Sequence, residues 1–268
     1  MTDHAGCREI AVETSDDLGW AMEGAEVILA PTPAFDTTRR MSLRELYGVS
    51  PLGVTGMFLL GGVFSAQFGM AAVFAAEAGL KLTQISMFVA AFYVGALVTQ
   101  YPLGWLSDRM DRRQLIMAVA LIGGLSAIVG YFLAGSFVAL LIAAFVIGGT
   151  ANPLYSLLIA YLNDYLQPED MAAASGGLMF VNGVGAIAGP LVTGWLMGSF
   201  GSHAFWLFVA TLMLILTGYS LYRMTQRAAT PVDETAAYVS VMPTASPVAV
   251  EAAQEWAIEQ SEATEEHE

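Results

Sequence analysis

Ten residues, GWLSDRMDRR at positions 104–113, hold five charged side chains: Asp108, Arg109, Asp111, Arg112 and Arg113. Long uncharged stretches flank them on both sides. Carboxylates and guanidiniums this close form charge-assisted hydrogen bonds, an interaction that orders a loop rather than transforms a substrate. The other groups able to do chemistry are neutral. Gln67, Gln100, Asn152 and Asn182, with Tyr93 and Tyr155 nearby, stand inside apolar stretches and offer only hydrogen bonds. Hydrolysis at that depth would need a Ser–His pair, a metal cluster or paired carboxylates. His4 and His267 lie near the ends of the chain and His203 between two apolar stretches, so no such set forms. An enzyme is not expected, nor a cofactor or metal.

The elements that position these residues follow from composition. Over half of the 268 residues (56%) are hydrophobic, only 13% are charged, and 27 are glycine. Glycine inside apolar runs is characteristic of membrane helices, because small residues let backbones approach closely. A spanning helix needs about 20 mostly apolar residues. Six segments qualify: Gly53–Ala76, Ile85–Leu106, Leu115–Leu133, Phe137–Leu162, Ala172–Met197 and Ala204–Tyr222, none containing Asp, Glu, Lys, Arg or His. The expected class is an all-α integral membrane protein, a bundle of six transmembrane helices joined by short loops.

Lys and Arg near the span ends set the orientation. Arg39, Arg40, Arg44, Arg109, Arg112, Arg113, Arg223 and Arg227 all fall on one face, against Lys81 alone on the other. Both termini are therefore expected in the cytoplasm and the bundle in the plasma (inner) membrane. The first 46 residues contain no unbroken apolar run, so the first span is expected to direct insertion itself. The net charge of −14 belongs to the two ends. Residues 1–38 carry eight acidic groups and one Arg, and residues 228–268 carry nine acidic groups and no Lys or Arg. Both read as acidic cytoplasmic segments around a membrane domain of residues 39–227, and such acidity excludes nucleic acid as a partner. Cys7 is the only cysteine, so no intrachain disulfide is possible.

Local signals mark the boundaries. Ser42-Leu43-Arg44-Glu45 fits a capping box and predicts a short surface helix. Ser50–Pro51 reads as an N-cap with proline at the first helical position. Pro168, Glu169 and Asp170 suit the start of the fifth span, where acidic groups complement the helix dipole. Gly104-Trp105-Leu106, ending the second span, recurs as Gly194-Trp195-Leu196, closing the fifth. Spans one to three and four to six are offset by about the same interval. Three is odd, so the second triplet crosses the bilayer in the opposite sense, giving two inverted three-helix repeats. That arrangement belongs to transporters and places binding near the midplane.

Gly104-x-x-x-Asp108-Arg109-x-x-Arg112-Arg113, between a second and third helix, resembles the signature loop of the major facilitator superfamily. Those carriers have twelve helices in two six-helix halves. RRMSLRELYGVSP resembles the connector into the second half, GTANPLYSLLIAYLND its fourth helix and GVGAIAGPLVTGWL its fifth. The resemblance covers about residues 27–227 and implies the C-terminal half of such a carrier. It also implies that Asp108 is a conformational latch, with Arg109 and Arg112 as partners and Gly104 and Arg113 in the same loop. The plain alternative is that the arginines anchor the spans by the positive-inside rule and the aspartates balance them. One departure stands out: Asp111 replaces the glycine usual in the family, and aspartate tolerates a tight positive-φ turn less well.

In the family the first and fourth helices of each half line the central cavity. Gln67, Tyr93, Asn152 and Tyr155 are accordingly the cavity candidates, for a small solute that suits an uncharged interior. Equally, such amides hold helices together, a role worth about 0.6–2 kcal/mol each. Asn152–Pro153 adds a carbonyl freed by proline, open to a cavity. Gly185, Gly189 and Pro190 read as packing positions, the glycines in small-xxx-small spacing. No span carries a carboxylate, histidine or lysine for proton coupling. The expected partners are the lipid bilayer, a small-molecule substrate and a second six-helix half: another chain, a second copy, or the remainder of a longer protein. A membrane module that binds partners through its acidic ends without transporting anything is the competing reading.

Overall fold

The computed structural model describes residues 41–226. The acidic segments 1–38 and 228–268, with Arg39, Arg40 and Arg227, lie outside the described residues. Within them the chain forms a short helix α1 (Leu43–Val49) and six long ones. These are α2 (Pro51–Glu77), α3 (Leu82–Ser107), α4 (Arg112–Phe132), α5 (Phe137–Asn163), α6 (Pro168–Phe200) and α7 (Ala204–Gln226). All six are long and apolar enough to cross a membrane.

Capping fixes where they begin. Ser42 and Glu45 form a reciprocal capping box on α1, with the Ser42 amide donating to Glu45 Oε2 at 2.8 Å. Ser50 accepts from the Gly53 amide at 3.2 Å and Pro51 takes the first turn of α2. Pro168 does the same for α6. Two turns demand glycine: Gly79 (φ 77°), between α2 and α3, and Gly201 (φ 88°), between α6 and α7, occupy the left-handed region. Each long helix exceeds the apolar stretch that announces it at one end or both, although α4 stops at Phe132, one residue short of its stretch. The correction matters most at α4, which begins at Arg112 rather than Leu115. The charged loop shrinks to Asp108–Asp111, and Arg112 and Arg113 belong to a helix.

Helix α2 is not uniform. Ser65–Met70 forms a π-helical turn, where the Ser65 hydroxyl donates to the Gly62 carbonyl at 2.7 Å. A π turn holds one residue more than an α turn and commonly marks a functional position. Helix α2 is also the most enclosed, 67% of its apolar window being buried within the bundle against 17% for α3.

Packing rests on backbone contact. Helix α3 lies along α5, and α2 along α6. A Cβ added at Gly95 would stand 1.9 Å from the Phe145 carbonyl oxygen, and one at Gly148 2.0 Å from that of Phe92. On the other pair, a Cβ at Gly185 would stand 2.1 Å from the Phe58 oxygen, and one at Gly61 2.1 Å from that of Asn182. Gly189 faces Ser65 equally closely, and Pro190 continues α6 without ending it. Asn182 adds a hydrogen bond from its side-chain amide to the Met57 carbonyl at 3.0 Å. At the end remote from the charged loop, Phe74 stacks on Phe205 (5.0 Å) and meets Trp206 edge-on (5.4 Å). Gly130 makes room for that indole.

No side chain fits where these carbonyls lie. Gly185→Ala and Gly95→Ala are each expected to cost about 1–3 kcal/mol or more, measured by thermal unfolding in detergent. Gly183→Ala, where an added Cβ meets nothing within 4 Å, is expected to be neutral or to stabilise by up to about 1 kcal/mol.

Candidate functional site

The charged loop is a clamp around one guanidinium. Arg112 is 3% exposed. Its Nε donates to Ser107 Oγ at 3.2 Å, at the end of α3. Its Nη1 donates to the Ala160 carbonyl at 3.2 Å and pairs directly with Asp164 Oδ1, at the end of α5. Its Nη2 reaches Asp108 Oδ1 at 3.6 Å. One side chain thus ties together the ends of three helices. A cation at the carbonyl end of α5 is favoured by that helix's dipole, but at the amide end of α4 it is opposed. Asp108 and Asp111, both placed before α4, offset that opposition.

The two carboxylates on Arg112 differ in depth. The Asp164 side chain is 3% exposed and that of Asp108 is 44% exposed. Asp164 was not among the sequence candidates, and its one signal was an acidic group ending a span on the arginine-rich face. Arg109 does not join the cluster. Its guanidinium lies 4.2 Å over the Trp105 ring, and its Nη1 donates to the Trp105 carbonyl at 3.1 Å.

Asp111 takes no positive-φ turn and instead caps α4. Its φ is −56°, and its carboxylate accepts from the Arg113 amide at 2.9 Å. The same carboxylate takes a two-point contact from the Arg113 guanidinium, at 3.1 and 2.7 Å. Burial opposes ionisation of Asp111, but these hydrogen bonds and the Arg113 charge outweigh it and hold the carboxyl below the usual range. Arg113 is anchored in turn, its carbonyl accepting from Ser220 Oγ of α7 at 3.2 Å.

The cavity candidates are dispersed along a row of rings. Tyr155 of α5 lies 6.0 Å from Phe64 of α2, Phe64 lies 5.7 Å from Phe68, and Phe68 lies 5.5 Å from Tyr93 of α3. Tyr155 and Phe64 are buried, whereas Phe68 and Tyr93 are exposed. The two phenylalanines were not candidates; their four-residue spacing around Gln67 was the available signal. Gln67 sits in the π turn, 2% exposed, with neither amide atom hydrogen-bonded among the described residues. Asn152 is half-buried and donates to the Gly148 carbonyl of its own helix at 3.0 Å. The expectation of an open carbonyl below Pro153 fails: the Gly149 carbonyl is taken by Thr99 Oγ1 of α3 at 2.6 Å. Among the described residues no three His, Cys, Asp or Glu side chains gather to hold a metal ion.

Six apolar spanning helices, with charge confined to loops and helix ends, define an integral membrane protein. The chain belongs to the Major Facilitator Superfamily, whose family model matches residues 46–255. It is similar to an uncharacterized MFS-type transporter, YfkF, of Bacillus subtilis, with 28% identity over 66% of this chain and 46% of that protein. It is also similar to an uncharacterized MFS-type transporter, YcaD, of Escherichia coli, with 24% identity over 66% of this chain and 44% of that protein. The chain spans about half the length of these relatives.

Depth sets the expected cost of losing each carboxylate. Asp164→Asn leaves the buried guanidinium with the half-exposed Asp108 at 3.6 Å as its counter-charge and is expected to destabilise by about 3 kcal/mol. Asp108→Asn is expected to cost below about 1 kcal/mol, both read from denaturant unfolding in detergent. A carboxyl with a lowered folded pKa stabilises above its unfolded value and loses that contribution as pH falls through the folded one. Asp111 is thus fully engaged above about pH 4, and Asp111→Asn is expected to flatten the acid side of the Tm–pH curve.

Proposed function

We propose that this chain is one six-helix half, the second, of a carrier that moves a small solute across the membrane by alternating access. The membrane domain, residues 39–227, stands with both acidic ends in the cytoplasm, and a second six-helix half completes it. The observation that carries this reading is the free face of α3. Leu97 and Tyr101 are 75% and 82% exposed, and beside them opens a hollow of about 460 Å³ lined by Gly104, Trp105, Asp108 and Arg109. A hollow with a half-exposed carboxylate at its floor suits the amide end of a helix from the other half. Asp108 is half-exposed and Asp164 buried, so Asp108 is the carboxylate that a second half can reach, and Asp164 the one that stays. This division supports Asp108 as the latch. Gln67, Tyr93, Asn152 and Tyr155 belong to the cavity side, with Phe64 and Phe68 between them.

Internal symmetry supports the inverted repeat. Phe58 and Gly61 stand to Gly185 and Asn182 as Phe145 and Gly148 stand to Gly95 and Phe92. The first pair of contacts joins helices one and five and the second joins four and two, the interchange a two-fold axis in the membrane plane requires.

Gentle extraction from the native membrane followed by native mass spectrometry is expected to show the chain bound to a second six-helix half. In a Cys7→Ser background, Lys81→Cys is expected to react with an impermeant reagent from outside, and Gln226→Cys only after the membrane is opened. A chain that runs alone, and whose isolated acidic ends bind a soluble protein, would favour the interaction module and sink the carrier.

A further inference from the structure

From the ring row we infer the class of solute: an uncharged aromatic molecule. This rests on the proposed reading that the row forms cavity wall. The row begins in the bundle interior at Tyr155 and Phe64 and emerges at Phe68 and Tyr93, 43% and 56% exposed. Neighbouring centroids are 5.5–6.0 Å apart, within the range at which aromatic rings attract one another in offset or tilted arrangements. The exposed end therefore presents two partly exposed rings whose spacing matches that of the rings further in, and a flat solute extends the series by one member. Phe68 follows directly on Gln67 within the π turn, so the half-exposed ring that links Phe64 to Tyr93 is carried by the irregular segment of α2.

Charge is what this wall lacks. Phe64, Phe68, Tyr93 and Tyr155 all lie in segments without Asp, Glu, Lys, Arg or His. An anion brought there loses its hydration with no cation to meet it. An organic ammonium gains attraction to ring faces, but these segments hold no carboxylate to pair with it as it sheds water. A neutral ring gives up only apolar hydration, which favours its burial. The same rows of atoms that attract an uncharged ring thus discriminate against both ions.

The test uses the chain with its second half, gently extracted and placed in phosphatidylcholine nanodiscs, and three ligands sharing one ring system: 2-naphthylmethanol, 2-naphthoate and 2-naphthylmethylammonium. Binding is read by equilibrium dialysis against empty nanodiscs of the same lipid, which removes partitioning. The alcohol is expected to bind saturably and at least about tenfold more tightly than either ion. Phe68→Ala and Tyr93→Ala are each expected to weaken the alcohol several-fold. Both side chains are exposed, so helix content by circular dichroism should be unchanged, and Ser86→Ala, elsewhere on α3, serves as control. Equal or tighter binding of either ion, still lost on Phe68→Ala, overturns the solute class and leaves the cavity wall standing. Saturable binding of none of the three, or binding indifferent to both substitutions, overturns the wall as well.

Discussion

A carbonyl oxygen of one helix occupies the place where a side chain of its neighbour would begin. That contact, made at Gly95 and Gly148 between α3 and α5 and at Gly61 and Gly185 between α2 and α6, is what the bundle depends on. In hydrocarbon there is no hydrophobic force to press helices together, so adhesion comes from close van der Waals approach and a few hydrogen bonds. Glycine supplies the approach. Asn182, bonded to Met57 across the α2–α6 seam, and Thr99, bonded to Gly149 across the α3–α5 seam, supply the hydrogen bonds. Each seam thus combines bare backbone with one polar stitch, and the rings and charges are positioned by what the seams hold in place.

The charged end works by the opposite logic. There, groups that would be costly alone are gathered so that each satisfies another. Arg112 closes the carbonyl end of α5 and is met by the deeply buried Asp164 and the shallower Asp108. Arg113 is fixed by Asp111 on one side and by Ser220 of α7 on the other. Four helices converge on these two residues, three of them through the Arg112 guanidinium and α7 through the Arg113 carbonyl, so a change in the partner of Arg112 is felt at the end of several elements at once. Under the proposed carrier reading this is the mechanical value of the cluster.

Much of this was legible in the sequence, and the rest was hidden for definite reasons. Six helices follow from six uncharged stretches, since hydrocarbon tolerates few alternatives. Their ends were read short because water-facing turns carry polar residues: Arg112 and Arg113 look like loop and are helix. Asp164 was passed over because one acidic residue at the edge of an apolar run resembles any solvated loop group, and only the fold brings it to Arg112. Phe64 and Phe68 are apolar among apolar residues, so no contrast marks them, although Gln67 between them was visible. The carbonyl freed by Pro153 could be deduced, but its capture by Thr99 depends on how α3 and α5 are aligned. Asp111, where the family pattern has glycine, takes a negative φ and caps α4 with its carboxylate, a role that shows only once the helix start is placed.

The π turn gives α2 a property that a straight helix lacks. An α-helix advances about 100° per residue, and one extra residue held in a turn shifts everything beyond it by about that angle. Helix α2 is therefore two helices that share an axis and differ in phase. Its first part keeps phase with α6 through Gly61 and Ser65, and its last part keeps phase with α3 and α7 through Phe74, set against Phe88, Phe205 and Trp206. An unbroken α-helix carried on from Gly61 would turn Phe74 by about 100°. The turn is the join between the two phases, and Gln67 sits at that join.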